Sequence, residues 1–256
     1  MVAMETVSHH GRTVAYRATD FGDGPRVCYV HGAGGAHGVW VRQYGDRDGP
    51  PAVAVDLAGH GDSDDIEADP GRATLDAYAA DVVAVCEATE ASVLCGNSMG
   101  GAVVLWMVLE RDLDVEALIL VDSGARIPVD DGLLDAFDRN FENAVASMHA
   151  PDTLFYDPDE DLLEVSKRAF LETGPTVTRR DFRTCDAFDV RHRLEEVACR
   201  TLVVAGEHDR LVPPRFQRTL AERLPDAEYV ELDGAGHMPM LERPAAFNDA
   251  VRAFLL

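Results

Sequence analysis

The chain has 256 residues, 46% of them hydrophobic, enough for one large α/β domain or two small ones, and this composition excludes a disordered chain. Acidic side chains number 46 against 23 basic ones, for a formal net charge of −23 and a pI near 4.6. A surface of that charge repels polyanions, so neither nucleic acid nor an anionic membrane is an expected partner.

Lysine occurs once, at Lys167, and every other basic residue is arginine. The acids spread over the whole chain instead of gathering in a tail. That pattern is expected of a halophilic protein, whose surrounding cations screen carboxylate self-repulsion, more than of an ordinary acidic one. The longest apolar run, Ala102 to Leu109, is far too short to span a membrane. The first residues lack a basic region followed by an apolar block and a small-residue cleavage site, so no signal peptide is expected. The 5 cysteines (28, 86, 95, 185 and 199) are odd in number and have no C-x-x-C spacing. Neither a disulfide framework nor a zinc site is expected, which suits a reducing cytoplasm.

In chain order, residues 2–18 predict a β-hairpin turning at His9-His10-Gly11, with the two histidines solvated and not metal-bound. Val27 to Val30 reads as a buried strand and runs into His31-Gly32-Ala33-Gly34-Gly35. A glycine cluster there leaves backbone N–H groups unobstructed, able to face a developing oxyanion. A second buried strand, Ala52 to Asp56, leads into Leu57-Ala58-Gly59-His60-Gly61. His60, held between two glycines in a tight turn, reads as structural. From Thr74, a candidate N-cap, the positions Leu75, Tyr78, Ala79, Val82 and Cys86 follow helical spacing.

The apolar run Val93-Leu94-Cys95 then stops at Gly96-Asn97-Ser98-Met99-Gly100-Gly101, and a long apolar helix pattern follows at once. This predicts strand, sharp turn and helix, with Ser98 at the apex and its hydroxyl exposed near the positive end of the helix. Glycines 96 and 100 let strand and helix close on each other. The plainer reading of Ser98 is a helix N-cap. Another buried strand, Ala117 to Val121, ends at Asp122. Strands apolar on both faces and separated by amphipathic helices imply a mostly parallel twisted sheet with helices on both faces. Ligands of such sheets bind beyond the carboxyl ends of the strands, where Asp56, Ser98, Asp122 and the glycine cluster converge.

The alternation breaks at Gly124, and helical patterns recur until about Val197: Leu133, Leu134, Phe137 and Phe141, then Leu162, Leu163, Ser166, Ala169 and Phe170. Arg179, Arg180 and Arg183 add a local basic cluster. Residues 124–198 are expected to form a helical lid inserted within a single domain spanning 1–256. The sheet resumes at Thr201 to Gly206 and leads into Glu207-His208-Asp209. Pro213-Pro214 opens a helix carrying Phe216, Leu220 and Leu224. A last strand, Glu228 to Leu232, precedes Asp233-Gly234-Ala235-Gly236-His237, and Pro244 begins the closing helix.

A serine hydroxyl is a poor nucleophile until a histidine takes its proton, and that histidine needs a carboxylate to fix its tautomer and balance its charge. Of the 9 histidines, His31, His60, His208 and His237 adjoin strand ends. His237 alone lies on a glycine-flanked loop after the last strand, free to reach over the sheet, whereas His208 reads as a loop residue. Asp209 and Asp122 compete as the acid.

His31-Gly32-Ala33-Gly34, Gly96 to Gly101, Gly206-Glu207-His208-Asp209 and Gly236-His237, in that order, resemble the α/β-hydrolase family over essentially the whole chain. The resemblance implies Ser98, Asp209 and His237 as nucleophile, acid and histidine, in the family's order. It implies an oxyanion hole from the backbone N–H groups of Met99 and Ala33, a small-molecule substrate, and no cofactor or metal. A serine argues against the dehalogenase and epoxide-hydrolase branches, which use an aspartate there. G-N-S-M-G-G is similar to the hydrolases that cleave carbon–carbon bonds in ring-fission products, but Met238 stands where they carry a tryptophan. Gly236 to Pro244 looks more like esterases and lactonases. The expected activity is therefore a carboxylesterase-like serine hydrolase acting on small to medium esters through an acyl-enzyme on Ser98. Carbon–carbon cleavage and enol-lactone hydrolysis are the rivals, and a catalytically silent ligand-binding relative is the reading from another class. A mostly apolar acyl pocket is expected beneath the lid, with Phe137, Phe141, Phe155, Phe170 and Met99 as candidates and the sequence not deciding which of them face it. Arg179, Arg180 and Arg183 are the candidate partners for a dienone carboxylate. The oligomeric state is not set by the sequence.

Overall fold

The computed structural model describes residues 3–256. Strands β1 (Glu5–His9) and β2 (Arg12–Thr19) form the expected hairpin, with His10 at φ 49° and Gly11 at φ 75° making its two-residue turn. Strands β3 (Val27–Val30), β4 (Ala52–Val55), β5 (Val93–Asn97), β6 (Ala117–Val121), β7 (Arg200–Gly206) and β8 (Ala227–Leu232) complete an 8-stranded sheet in the order β1-β2-β4-β3-β5-β6-β7-β8. From β4 to β8 every neighbouring pair is parallel, while β2 pairs antiparallel with both β1 and β4.

The inner parallel strands β3, β4 and β6 are apolar throughout because both faces are covered, whereas the edge strand β8 carries Glu228 and Glu231. Alternate residues go to opposite cores: Cys28, Val30, Leu94, Leu118 and Leu120 to one face, Val27, Tyr29, Val93, Cys95 and Ile119 to the other. Helices α2 (Arg72–Thr89) and α3 (Met99–Glu110) cover the first face. The short α1 (Val41–Tyr44) and the closing α9 (Pro244–Leu255) cover the second, through Tyr44, Phe247, Val251 and Phe254. Cys28 and Cys95 are buried inside their strands, and all five cysteines are free.

Two local expectations change. Helix α2 begins at Arg72 behind Gly71, and Thr74 lies inside its first turn, its hydroxyl donating to the Asp69 carbonyl (2.8 Å) instead of capping the helix. Helix α7 (Pro214–Arg223) starts at the proline pair, but Phe216 on it is about half exposed; Leu220, and Leu224 just past its end, enter the core.

Between β6 and β7 lie α4 (Asp131–Arg139), α5 (Phe141–Met148) and α6 (Glu160–Ala187). Asp130, Asn140 and Asp159 cap these helices through their side chains. Helix α6 kinks at Gly174, whose φ of 79° and ψ of 171° leave the helical region just before Pro175. The segment before the kink lines a cavity above the sheet, and the segment after it is bonded into the core while Phe182 and Cys185 on it also reach the cavity. Helix α8 (Pro239–Glu242) follows β8 and completes the carboxyl edge of the sheet.

Candidate active site

Strand β5 turns into α3 at Ser98, whose φ of 53° and ψ of −118° are strained for a residue with a side chain. The packing allows no relaxation. A Cβ on Gly96 would stand 2.3 Å from the Gly100 backbone, and one on Gly100 would stand 2.2 Å from the Val30 carbonyl oxygen. Ser98 N–H donates to the Val121 carbonyl (2.9 Å), and the Ser123 hydroxyl donates to the Ser98 carbonyl (2.8 Å). Ser98 lines a cavity of about 610 Å³ together with Gly32, Ala33 and His237. Met99 is fully buried beneath it, and its backbone N–H opens α3, a position without an intrahelical acceptor.

His237 stands on the loop between β8 and α8, 3% exposed, and its Nδ1 lies 2.9 Å from Asp209 Oδ2. A carboxylate only accepts, so the Nδ1 proton donates to it and Nε2 is left with the lone pair. Asp209 Oδ1 accepts from the N–H groups of Leu211 (2.8 Å) and Val212 (3.0 Å), which orients the carboxylate. The loop carrying His237 is fastened on three sides. Its own N–H donates to the Leu154 carbonyl (3.0 Å), Asn97 Nδ2 donates to its carbonyl (3.2 Å), and Glu242 Oε1 accepts from Gly236 N–H (2.9 Å) and Met238 N–H (3.2 Å). Neither Asn97 nor Glu242 stood out in the sequence, although Glu242 lies five residues after His237 on the following short helix.

Asp122, the competing acid, also reaches this cluster. Donor atoms of Asp122, Asp209 and His237 all lie within 4.8 Å of one another. The Asp122 carboxyl is completely buried, Oδ1 accepts from Gly206 N–H and Gln217 Nε2 (2.9 Å each), and Oδ2 has no donor facing it. Burial, and next the Asp209 carboxylate, raise its pKa well above the usual carboxylate range. A proton on Asp122 Oδ2 therefore relieves the repulsion between the two neighbouring carboxyl groups. This trio is close enough to hold a cation, but His237 Nδ1 and both Asp209 oxygens are already occupied by hydrogen bonds, so it reads as a hydrogen-bonded chain.

The glycine loop after β3 is equally fixed. Leu57 N–H donates to His31 Nε2 (3.1 Å), so the His31 proton sits on Nδ1 and donates to the Gly32 carbonyl (2.8 Å). Burial, and next the neighbouring His60, push the His31 pKa down to about 4, keeping it neutral. Gly34 N–H donates to Asp181 Oδ2 (3.0 Å), and Thr173 Oγ1 donates to the Gly34 carbonyl (3.2 Å), so α6 grips the loop beside Ala33. Asp181 also accepts from Tyr78 (2.7 Å) and faces His60 Nε2 (2.8 Å), with the side chains of Asp181 and His60 wholly buried. His60 is thus part of a buried support, in line with its structural reading.

Of the residues expected to form the acyl pocket, Phe170 lines the cavity. Phe137, Phe141, Phe155 and Met99 do not. They are buried in the cores, Phe137 against the rings of Phe141 and Phe182. Leu133, Met148, Leu154, Leu162 and Val165 take their place. The arginine cluster also turns away. Arg179 donates to the Phe137 carbonyl (2.8 Å), Arg180 to Asp65 (2.6 Å), and Arg183 to Asp138 (2.8 Å). His208 stacks on Tyr156 with ring centroids 3.7 Å apart, away from the trio.

Comparison with known proteins places this geometry. The sequence profile described as "Alpha/beta hydrolase family" matches residues 29–250. The chain is 25% identical to 3-oxoadipate enol-lactonase 1 of Acinetobacter baylyi over 97% of its own length and 95% of that protein. It is 28% identical to 2-hydroxy-6-oxo-6-phenylhexa-2,4-dienoate hydrolase of Burkholderia cepacia, over 92% of this chain and 89% of the other. Among solved structures, a thermophilic esterase superimposes with a TM-score of 0.88 at 30% identity, covering 100% of this chain and 98% of that one. No helix among the described residues is long and apolar enough to cross a membrane.

Proposed function

The chain belongs to the α/β-hydrolase family, and from that premise we propose that it is a serine hydrolase of small to medium carboxylic esters, with residues 124–198 as its lid. The observation that carries the proposal is the Asp209–His237 hydrogen bond of 2.9 Å at the wall of the cavity that also holds Ser98. In this reading Ser98 Oγ attacks the ester carbonyl while its proton passes to His237 Nε2. Asp209 stays ionised and balances the imidazolium. The negative charge on the former carbonyl oxygen falls between the N–H groups of Met99 and Ala33. Collapse of the tetrahedral intermediate breaks the bond to the alcohol, which leaves with the proton from His237. Water then gives its proton to the same nitrogen and attacks the acyl-Ser98 ester, releasing the acid and restoring the serine.

Ester hydrolysis is favoured over carbon–carbon cleavage by the cavity's lining. A dienone carboxylate needs a buried cation; Arg42 and Arg210, the arginines that line the cavity, are exposed, and Arg179, Arg180 and Arg183 are engaged elsewhere. The test is labelling by a fluorophosphonate probe together with turnover of p-nitrophenyl esters from acetate to laurate beside a ring-fission dienone. Labelling and ester turnover, both lost in Ser98→Ala, are expected. Efficient dienone cleavage without ester turnover overturns the esterase reading, and absence of labelling marks a silent ligand binder.

A further inference from the structure

A second serine–histidine contact lies in the roof of the cavity, outside the Ser98 cluster. Ser166 stands on the first segment of α6 and lines the cavity. Its Oγ is 2.8 Å from Nε2 of His149, which follows α5 and is 5% exposed. The other ring nitrogen, Nδ1, lies 2.8 Å from the Val145 carbonyl oxygen. A carbonyl accepts and cannot donate, so the Nδ1 position carries the imidazole proton. In the neutral ring Nε2 then holds only a lone pair, and the Ser166 hydroxyl must donate to it. Phe170 meets the His149 ring edge-on with centroids 5.5 Å apart, and Phe155 lies 6.3 Å away, so the ring sits in aromatic surroundings. Burial is the first cause holding the His149 pKa below its ordinary value, with Lys167 acting in the same direction and Glu164 and the Val145 carbonyl against it. Near neutral pH the ring therefore stays uncharged and its tautomer stays fixed.

A serine whose only hydrogen is committed to a neighbour offers the cavity lone pairs and nothing else. The neighbours of Ser166 on the α6 wall are Leu162, Val165, Ala169 and Phe170, with the exposed Asp161 at the start of the helix, and within that apolar stretch such a group discriminates by hydrogen-bond polarity. We propose that Ser166, held as an acceptor by His149, is a specificity-determining residue that selects substrates carrying a hydroxyl or amide N–H on the portion lying beneath α6. This rests on the esterase reading for the chemistry, but the recognition itself is a property of the cavity. A substrate ketone at the same place meets another acceptor and is disfavoured. A purely structural tie between α5 and α6 predicts no such preference, because loss of a tie alters all ligands alike.

The experiment compares methyl heptanoate with its derivatives carrying a hydroxyl or a ketone at carbon 3 or carbon 6. Binding is measured by ligand-observed NMR on Ser98→Ala protein, which separates recognition from turnover, and kcat/KM by pH-stat on the protein with Ser98 intact. At one of the two positions the hydroxy ester should bind and turn over about tenfold better than the ketone, the size of one good neutral hydrogen bond. The ratio should fall to about one in Ser166→Ala and persist in Ser166→Thr. His149→Phe frees the serine hydrogen, so the ratio should fall or invert in favour of the ketone. A hydroxy-to-ketone ratio that is the same with and without Ser166→Ala, or a preference for the ketone at both positions, overturns the proposal. Binding with the expected ratios but no turnover by the Ser98-intact protein would instead overturn the esterase reading alone. Failure of every ester to bind overturns both.

Discussion

Asp181→Ala removes the side chain through which α6 holds the His31 to Gly35 loop and α2 together. The carboxylate is fully buried and accepts from Gly34 N–H (3.0 Å) and the Tyr78 hydroxyl (2.7 Å), with His60 Nε2 at 2.8 Å. Burial alone would raise its pKa, but the charge and hydrogen bond of His60, with those of Tyr78 and Gly34, outweigh it and hold the carboxyl below its ordinary value. Truncation leaves those partners buried and unpaired, which for a broken buried ion pair costs about 3–5 kcal/mol. At roughly 2–4 °C per kcal/mol for a domain of this size, Tm should fall by about 6–20 °C. Asp181→Asn keeps the shape and one acceptor, and should lose only the charge assistance, about 1–2 kcal/mol. The sign of the pH dependence follows from the depressed pKa. Ionised Asp181 stabilises the fold above the unfolded carboxyl pKa of about 4, and that contribution disappears as pH falls through the folded value below it. Thermal melts of wild type and Asp181→Asn should therefore differ fully near neutral pH and converge below about pH 4. An Ala variant melting within about 2 °C of wild type at pH 7, or a wild-type advantage over Asn that grows on acidification, refutes the reasoning.

The two acids beside His237 should separate cleanly in kinetics. Asp209→Asn should lower kcat by about 10⁴-fold, the loss seen when a triad acid no longer fixes the histidine tautomer. Asp122→Asn replaces a neutral acid by a neutral amide that can still donate to Asp209, so the pH–rate profile should stay in place; the opposite ranking would reassign the acid. Across p-nitrophenyl esters, kcat/KM should climb over the first few carbons, since each buried CH₂ contributes about 0.8 kcal/mol, then fall sharply once the cavity of about 610 Å³ is full. A flat profile to laurate contradicts an enclosed acyl site. With a net charge of −23 the melting point should rise steeply between ~0.1 M and ~2 M KCl, because screening relieves self-repulsion. Exposed pairs such as Arg139–Asp135 (2.8 Å) contribute too little to reverse that trend. A melting point independent of KCl rejects the halophilic reading.

Local pattern carried the architecture. Alternate residues of Val27 to Val30 and Val93 to Cys95 enter opposite cores, and a strand apolar at every position has no stable place except a sheet covered on both sides. The turn at Ser98 was legible because glycines at 96 and 100 are a steric requirement of that turn, local to a few residues. Polar partnerships across the chain were not legible in this way. Strands β6 and β7 are paired neighbours, with Val121 opposite Val204, so Asp122 and Asp209 arrive at the same edge, and only the folds of the following loops set Asp209 against His237 Nδ1. Asp181 meets His60 across 121 residues, and Ser166 meets His149 across 17, neither at a periodic spacing. The phenylalanines of the insertion share one composition, yet Phe170 faces the cavity while Phe137 and Phe141 fill the core. Hydrophobic periodicity says that a helix face must be buried; whether it is buried against protein or around an open cavity depends on helix crossings and the kink at Gly174, which exist only once the chain has folded.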